Sequence, residues 1–80
     1  MFQIVCSELD PEGKVVAQWA VQPLYELEED ALAIAEFDAL RLSEDGHLDA
    51  SSDGLHATDP RGRMFRIEVN RLPGQLEVAA

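Results

Sequence analysis

Apolar and polar residues alternate in four segments of the chain, and this period of two is typical of half-buried strands. The four segments are residues 2–9, 14–22, 55–58 and 63–70. An Asp-Pro-x-Gly turn joins each pair, at residues 10–13 and again at residues 59–62. Because proline suits the first central position of such a turn and glycine tolerates a positive φ, the pattern predicts two β-hairpins.

Between the hairpins, the apolar residues predict one α-helix over about residues 27–43. Pro23 is expected to end the second strand, because proline has no N–H to donate to a neighbouring strand. Acidic residues crowd the first turn of the helix and Arg41 lies in its last turn, an arrangement that complements the helix dipole. Residues 44–54 are rich in Asp, Ser and Gly and are expected to form a loop.

These elements predict a single α+β domain, residues 1–80, in which one helix packs on an antiparallel sheet. Residues 75–79 could add a last strand after the turn at 72–74, so the sheet is expected to have four or five strands in the order ββα-ββ(β). The second Asp-Pro-x-Gly turn is interpreted as reuse of a favourable turn, since the apolar faces of the two hairpins are out of phase.

The predicted helix has two apolar sides separated by charged residues. The bulkier side comprises Leu27, Ala33, Ile34, Phe37 and Leu40, and the Ala-rich side comprises Ala31, Leu32, Ala35, Ala39 and Leu42. We expect the bulkier side to pack on the sheet, which leaves the Ala-rich side to be covered by residues 44–54 or by a partner. Asp38 and Arg41 are three residues apart and can form an ion pair.

The strong negative charge of the chain limits the kinds of partner that it can bind. The net charge is −10, and residues 26–59 hold eleven carboxylates against Arg41, so their own balance of 1 − 11 = −10 equals that of the whole chain. Phosphate binding requires clustered Lys and Arg, so direct nucleic-acid binding and binding to anionic membranes are disfavoured. The arginines near the C-terminal end, among them Arg61, Arg63 and Arg66, are expected to pair with carboxylates of this chain or of a partner.

No pattern of catalytic or metal-binding residues is complete. Residues 49–54 match the first half of a calcium loop, but Pro60 stands where a bidentate Glu is needed, so an ordinary turn is expected. His47 and His56 match no zinc spacing. Cys6 lies on the apolar face of a strand, where a thiol is inert. We therefore predict no metal, no cofactor and no enzymatic activity.

In size, acidity and absence of a catalytic motif, the chain resembles small phage-encoded inhibitors that act by binding, such as anti-CRISPR proteins and nucleic-acid mimics. The resemblance lies in this general character. It implies a protein that docks electrostatically on the basic, nucleic-acid-binding surface of a partner and blocks it. The residues predicted to contact the partner are Glu28, Glu29, Glu36, Glu44, Asp45, Asp49 and Asp53.

Two other interpretations stay open. The carboxylates could serve only to keep a small protein soluble. Alternatively, the chain could be a structural or regulatory accessory module, similar in layout to antitoxin domains, that forms a homodimer or docks through the Ala-rich side of its helix. A single cysteine, no secretory signal and no apolar run of roughly 20 residues lead us to expect a cytoplasmic location.

Overall fold

A computed structural model describes residues 1–73 as one helix packed on a five-stranded antiparallel sheet, an α+β fold. The elements are β1 (Phe2–Leu9), β2 (Val15–Tyr25), α1 (Glu28–Ser43), β3 (His47–Ser51), β4 (Gly54–Thr58) and β5 (Met64–Arg71). The strands lie in the order β2-β1-β5-β4-β3 across the sheet. The predicted fold class is confirmed. The strand proposed at residues 75–79 lies outside the described residues.

The two Asp-Pro-x-Gly turns have the same hydrogen bonds. In each turn the glycine N–H donates to the aspartate carbonyl at 2.9 Å, from Gly13 to Asp10 and from Gly62 to Asp59. Both glycines have a φ of 89°, which is strained for any residue with a side chain. The shared turn therefore follows directly from the shared sequence, and it closes the hairpins β1–β2 and β4–β5.

The prediction that Pro23 ends the second strand is wrong, because β2 continues to Tyr25. β2 lies at the edge of the sheet, where a proline without an N–H leaves no neighbouring strand unsatisfied. Phe2 pairs with Tyr25 and Ile4 pairs with Val21. Between these two pairs the chain advances four residues in β2 but only two residues in β1. The extra residues form a bulge that accommodates the proline.

The prediction that residues 44–54 form a loop is also wrong, because this segment contains β3. Leu48 pairs with Ala57 and Ala50 pairs with Leu55 in the antiparallel ladder of β3 and β4. Residues 52 and 53 form the two-residue turn between these strands. The alternation of apolar and polar residues in β3 is short, and the Asp and Ser residues around it conceal it.

The helix packs on the sheet with the side opposite to the one we expected. Ala31, Ala35 and Ala39 are 0–1% exposed, within a core that includes Ile4 and Ile67 of the sheet. These alanines are spaced by four residues, so they form a row of small side chains that lets the helix approach the sheet closely. Since the sheet itself supplies the bulky side chains of this core, the larger side chains of α1 are left facing outward.

Two apolar surfaces therefore remain exposed. On α1 and its N-cap residue Leu27, the exposed large side chains are Leu27, Leu32, Ile34, Phe37 and Leu40. On β2, Trp19 is exposed on the helix side of the sheet because α1 packs mainly on β4 and β5, and Val15 and Val16 are exposed at the start of the strand. Trp19 contacts Phe65 edge to face, with ring centroids 6.5 Å apart, yet it stays 40% exposed.

Candidate functional site

The outward side of α1 carries two adjacent rows of exposed residues. We call the first row the acidic stripe; it contains Glu29, Ala33, Glu36 and Leu40. We call the second row the seam; it contains Asp30, Ile34, Phe37 and Arg41. Residues in each row are spaced by four, three and four, so each row runs straight along one side of the helix.

The ends of α1 explain why this segment is helical. Leu27 is the N-cap and makes no side-chain capping bond, but Glu28, Glu29 and Asp30 place negative charge at the positive end of the helix dipole. At the other end, Glu44 and Asp45 have left-handed backbone conformations, with φ of 47° and 69°. The helix therefore ends in the αL conformation at a glutamate, although Gly46 follows two residues later.

The predicted ion pair of Asp38 and Arg41 is confirmed, with Arg41 Nη2 donating to Asp38 Oδ1 at 3.2 Å. Asp38 lies on the flank of α1 over β1 and is 7% exposed, whereas most of the Arg41 side chain is exposed. In contrast, neither Glu29 nor Glu36 forms an ion pair with any residue of the described chain. The acidic stripe thus presents two uncompensated carboxylates beside exposed Leu40, a side chain 58% exposed.

The structure divides the seven predicted contact residues among several surfaces. Glu28, Glu29 and Glu36 lie on α1, Glu44 and Asp45 follow its C-terminal end, and Asp49 and Asp53 lie in the β3–β4 hairpin. Asp49 faces away from the helix, because its neighbours in β3 are the residues that pair on the helix side of the sheet. Glu29 and Glu36 are the two that share one exposed row.

Glu28 and Asp53 line a groove of about 320 Å³ together with Leu32 and Glu68. Asp53 is already engaged, since its carboxylate accepts hydrogen bonds from the Ser51 hydroxyl and from His56 Nε2, the latter at 2.8 Å. These bonds lower the pKa of Asp53 to about 2. The groove is therefore acidic, but the Asp53 carboxylate is already hydrogen-bonded within the β3–β4 hairpin.

Of the three arginines expected to pair with carboxylates of this chain or of a partner, Arg63 and Arg66 pair within the chain, whereas the Arg61 side chain forms no ion pair with the described residues. Arg63 Nε donates to Asp59 Oδ2 at 3.0 Å, and Arg66 Nε lies 3.4 Å from Glu68. Arg63 also lines a groove of about 570 Å³ between the two Asp-Pro-x-Gly turns, where Glu8 offsets its charge. This groove has basic and acidic walls and offers no concentrated positive surface for phosphates.

The residues considered for metal binding and nucleophilic chemistry are separated. Each histidine contacts a different aspartate, His47 with Asp49 and His56 with Asp53, at 2.8 Å in both cases. Within residues 1–73, no three His, Cys, Asp or Glu side chains are grouped so that they could hold a metal ion. Burial, with a smaller effect of the Asp38 charge, raises the pKa of the Cys6 thiol to about 11. At neutral pH this thiol is protonated and a weak nucleophile.

Comparison of the chain with protein-family models, with curated proteins and with solved structures gives no match in any of the three. In the described part of the chain, α1 is too short and too polar to cross a membrane.

The exposed apolar residues of α1 are the part of this surface that sequence reasoning missed. Phe37 is 64% exposed, although it was expected in the core. The signal that could have revealed this was the spacing of Ala31, Ala35 and Ala39, because a row of alanines can pack closely on a sheet whose own side chains are large. A helix with apolar residues on both sides has to bury one side elsewhere or expose it.

Proposed function

We propose that this protein acts by binding another protein through the outward side of α1. The partner surface complementary to the acidic stripe would offer Lys or Arg side chains to Glu29 and Glu36 and an apolar contact to Leu40. The observation that carries this proposal is the position of two carboxylates, unpaired within residues 1–73, on the same helical row as an exposed leucine.

The two kinds of side chain contribute differently to such a contact. Exposed ion pairs add roughly 0–1 kcal/mol each, but they steer association and exclude partners of the wrong charge. Burial of an exposed leucine side chain contributes about 1.5–3 kcal/mol when it is complete. Leu40 would therefore supply affinity, while Glu29 and Glu36 would supply the choice of partner.

The narrower form of the proposal concerns what the partner does. Basic surfaces with enough positive charge to select a chain of net charge −10 are most common where proteins hold DNA or RNA. We infer that the protein occupies such a surface and excludes the nucleic acid, as an anti-CRISPR-like inhibitor would, in the cytoplasm. The chemistry of this inhibition is competition for a surface and requires no catalytic residue.

Affinity capture from the native host, followed by elution with salt, tests the broad proposal. The wild-type protein is expected to retain a nucleic-acid-binding protein at low salt and to release it as salt rises, because the contact is electrostatic. The Glu29→Lys/Glu36→Lys variant is expected to retain much less of it. Retention that is indifferent to both salt and charge reversal would show that the acidic stripe is not the contact.

Competition with a labelled nucleic acid tests the narrower form. The captured partner is first bound to its nucleic acid, and the wild-type protein is then added in increasing amounts. We expect the nucleic acid to be displaced with increasing protein. A ternary complex that keeps the nucleic acid would leave the binding function standing and would exclude inhibition by occupation of the groove.

A further inference from the structure

The seam of α1 has a sequence that is complementary to itself. Its apolar centre, Ile34 and Phe37, lies between an acid, Asp30, at one end and a base, Arg41, at the other. All four side chains are exposed. The spacing of four, three and four residues is that of the a and d positions along which two helices pack in a coiled coil.

Antiparallel pairing of two such seams places opposite charges together. A two-fold axis midway between Ile34 and Phe37 brings Asp30 of one copy beside Arg41 of the other, at both ends of the contact. The same axis places Ile34 against Phe37 twice at the centre. A parallel pair would instead set Asp30 against Asp30 and Arg41 against Arg41, so the charges of the seam select the antiparallel arrangement.

Arg41 can make this contact without giving up its partner within the chain. One of its terminal nitrogens, Nη2, is used by Asp38 at 3.2 Å, and its side chain is 71% exposed. A guanidinium has five N–H donors, so several remain for a second carboxylate. Asp30 forms no ion pair within the described residues and is available at the other end.

The uncovered face of β2 lies beside the seam and extends it. The charges of Asp38 and Arg41 both act on the Cys6 thiol of β1, so this flank of α1 lies over β1. Cys6 pairs with Trp19 of β2, whose ring is on the helix side of the sheet. A stable interface buries roughly 800 Å² on each partner. The seam alone is too small for that area, and the apolar face around Trp19 supplies more.

We propose that the partner of the seam is a second copy of this chain, and that the protein forms an antiparallel, two-fold symmetric homodimer through Asp30, Ile34, Phe37 and Arg41. In this dimer, equivalent rows beside the two seams project in the same direction along the two-fold axis. The two acidic stripes would therefore face the same direction and remain accessible. The homodimer contact is independent of whether the acidic stripe binds a basic partner.

Light scattering or sedimentation of the purified protein tests the stoichiometry. Each copy carries a charge of −10, so the measurement should include about 0.5 M salt, where the Debye length is below roughly 5 Å and repulsion between copies is screened. We expect a dimer under these conditions. A wild-type protein that stays monomeric at high concentration in both low and high salt would overturn the proposal.

Two variants identify the surface. Ile34→Ser/Phe37→Ser is expected to weaken association at least about tenfold, because it removes the apolar centre of the contact. Its circular dichroism should stay close to wild type, since both residues are exposed in the single chain. Leu32→Ser is the matched control: Leu32 is an exposed residue of the same helix, but it lies on the other flank, at the groove with Ser51–Gly54. If Leu32→Ser weakens the dimer as much, the seam is not the interface.

Disulfide cross-linking tests the direction of the two helices. In the Asp30→Cys/Arg41→Cys variant, the two cysteines of one chain are about 16 Å apart along the helix and cannot bridge each other. A cross-linked dimer is expected to form on mild oxidation, while Asp30→Cys alone stays uncross-linked. Efficient cross-linking of Asp30→Cys alone would indicate parallel helices and contradict the proposed symmetry. The buried Cys6 does not interfere.

Discussion

At the scale of single residues, Asp10 and Asp59 occupy the same position in the same turn sequence but differ in burial and in hydrogen bonding. Each carboxylate accepts hydrogen bonds from two backbone N–H groups of its turn, those of Glu12 and Lys14 for Asp10 and those of Arg61 and Arg63 for Asp59. Asp10 is partly exposed, but the side chain of Asp59 is 0% exposed and also accepts a bond from Arg63 Nε. The sequence predicts the turn in both places, and only the fold shows which aspartate is enclosed.

The substitution Asp59→Asn should lower the melting temperature by about 5 °C or more, whereas Asp10→Asn should leave it nearly unchanged. Asparagine keeps the oxygen that accepts the backbone N–H groups, so the difference isolates the charged contact with Arg63. Thermal unfolding followed by circular dichroism measures both variants. Equal effects of the two substitutions would mean that the charged contact with Arg63 contributes nothing.

The contribution of Asp59 should also depend on pH in a defined direction. Burial acts to raise the pKa of Asp59, but hydrogen bonds from the Arg63 side chain and from the backbone N–H groups of Arg63 and Arg61 outweigh it, so the pKa is lowered. A lowered pKa in the folded state stabilises the protein above the ordinary carboxyl pKa, and this stability is lost as pH falls through the folded-state value.

The difference in stability between wild type and Asp59→Asn should therefore be constant from about pH 7 to pH 5 and shrink below about pH 4. Urea unfolding at a series of pH values measures this difference. A gap that widens as the pH falls would contradict the lowered pKa.

At the scale of elements, the limits of the helix were predictable and its orientation was not. Charged residues at its two ends set its span within a residue, since the prediction began at Leu27 and the helix begins at Glu28. Which apolar side is buried depends on the volume already supplied by the sheet, above all by Ile4, Phe65 and Ile67. That volume comes from strands distant in sequence, so the spacing of the alanines in the helix could not decide the orientation by itself.

The strand β3 was missed for a related reason. Its segment is short and rich in Asp and Ser, so local preferences favour a turn. Pairing with β4, together with the contact of Leu48 with the core, stabilises an extended conformation there. Asp49, a predicted contact residue, was expected in a loop near the helix. In the structure it lies in β3 on the face of the sheet opposite the helix.

Enlarging an alanine on either side of α1 tests which side is buried. Ala35→Leu should destabilise the fold by about 1–3 kcal/mol, because it inserts a large side chain between the helix and the sheet. Ala33→Leu adds the same atoms on the exposed side and should change stability by less than about 0.5 kcal/mol. Urea unfolding compares the two variants. The reverse order of effects would show that the bulkier side of α1 is the buried one.

At the scale of the whole molecule, the fold converts an acidic sequence into surfaces of different character. On the helix side of the sheet, the alanine row of α1 covers mainly β4 and β5 and leaves Trp19 of β2 exposed, and the opposite side carries His47, Asp49 and the Arg66–Glu68 pair. The charge balance of residues 26–59 was readable from the sequence, but it suggested one continuous acidic face. The structure divides that charge among α1, its C-terminal end and the β3–β4 hairpin, and within residues 1–73 the two carboxylates of the acidic stripe form no ion pair.

Reversal of charge at two different places on the surface tests whether the partner binds α1. The affinity of the captured partner should be measured for the wild type, for Glu29→Lys/Glu36→Lys, and for Glu12→Lys/Asp49→Lys. The second variant makes the same change in net charge on the exposed turn at Glu12 and on the face of the sheet opposite the helix. Affinity should be measured at low and at high salt. A loss of affinity that is caused by charge shrinks as salt rises, whereas a loss that is caused by misfolding persists.

Binding through the acidic stripe predicts that Glu29→Lys/Glu36→Lys loses at least about tenfold in affinity at low salt, while Glu12→Lys/Asp49→Lys loses much less. The gap between them should narrow as salt rises. Equal losses for the two variants would show that the partner responds to net charge alone, and that result would contradict the assignment of the binding surface to α1.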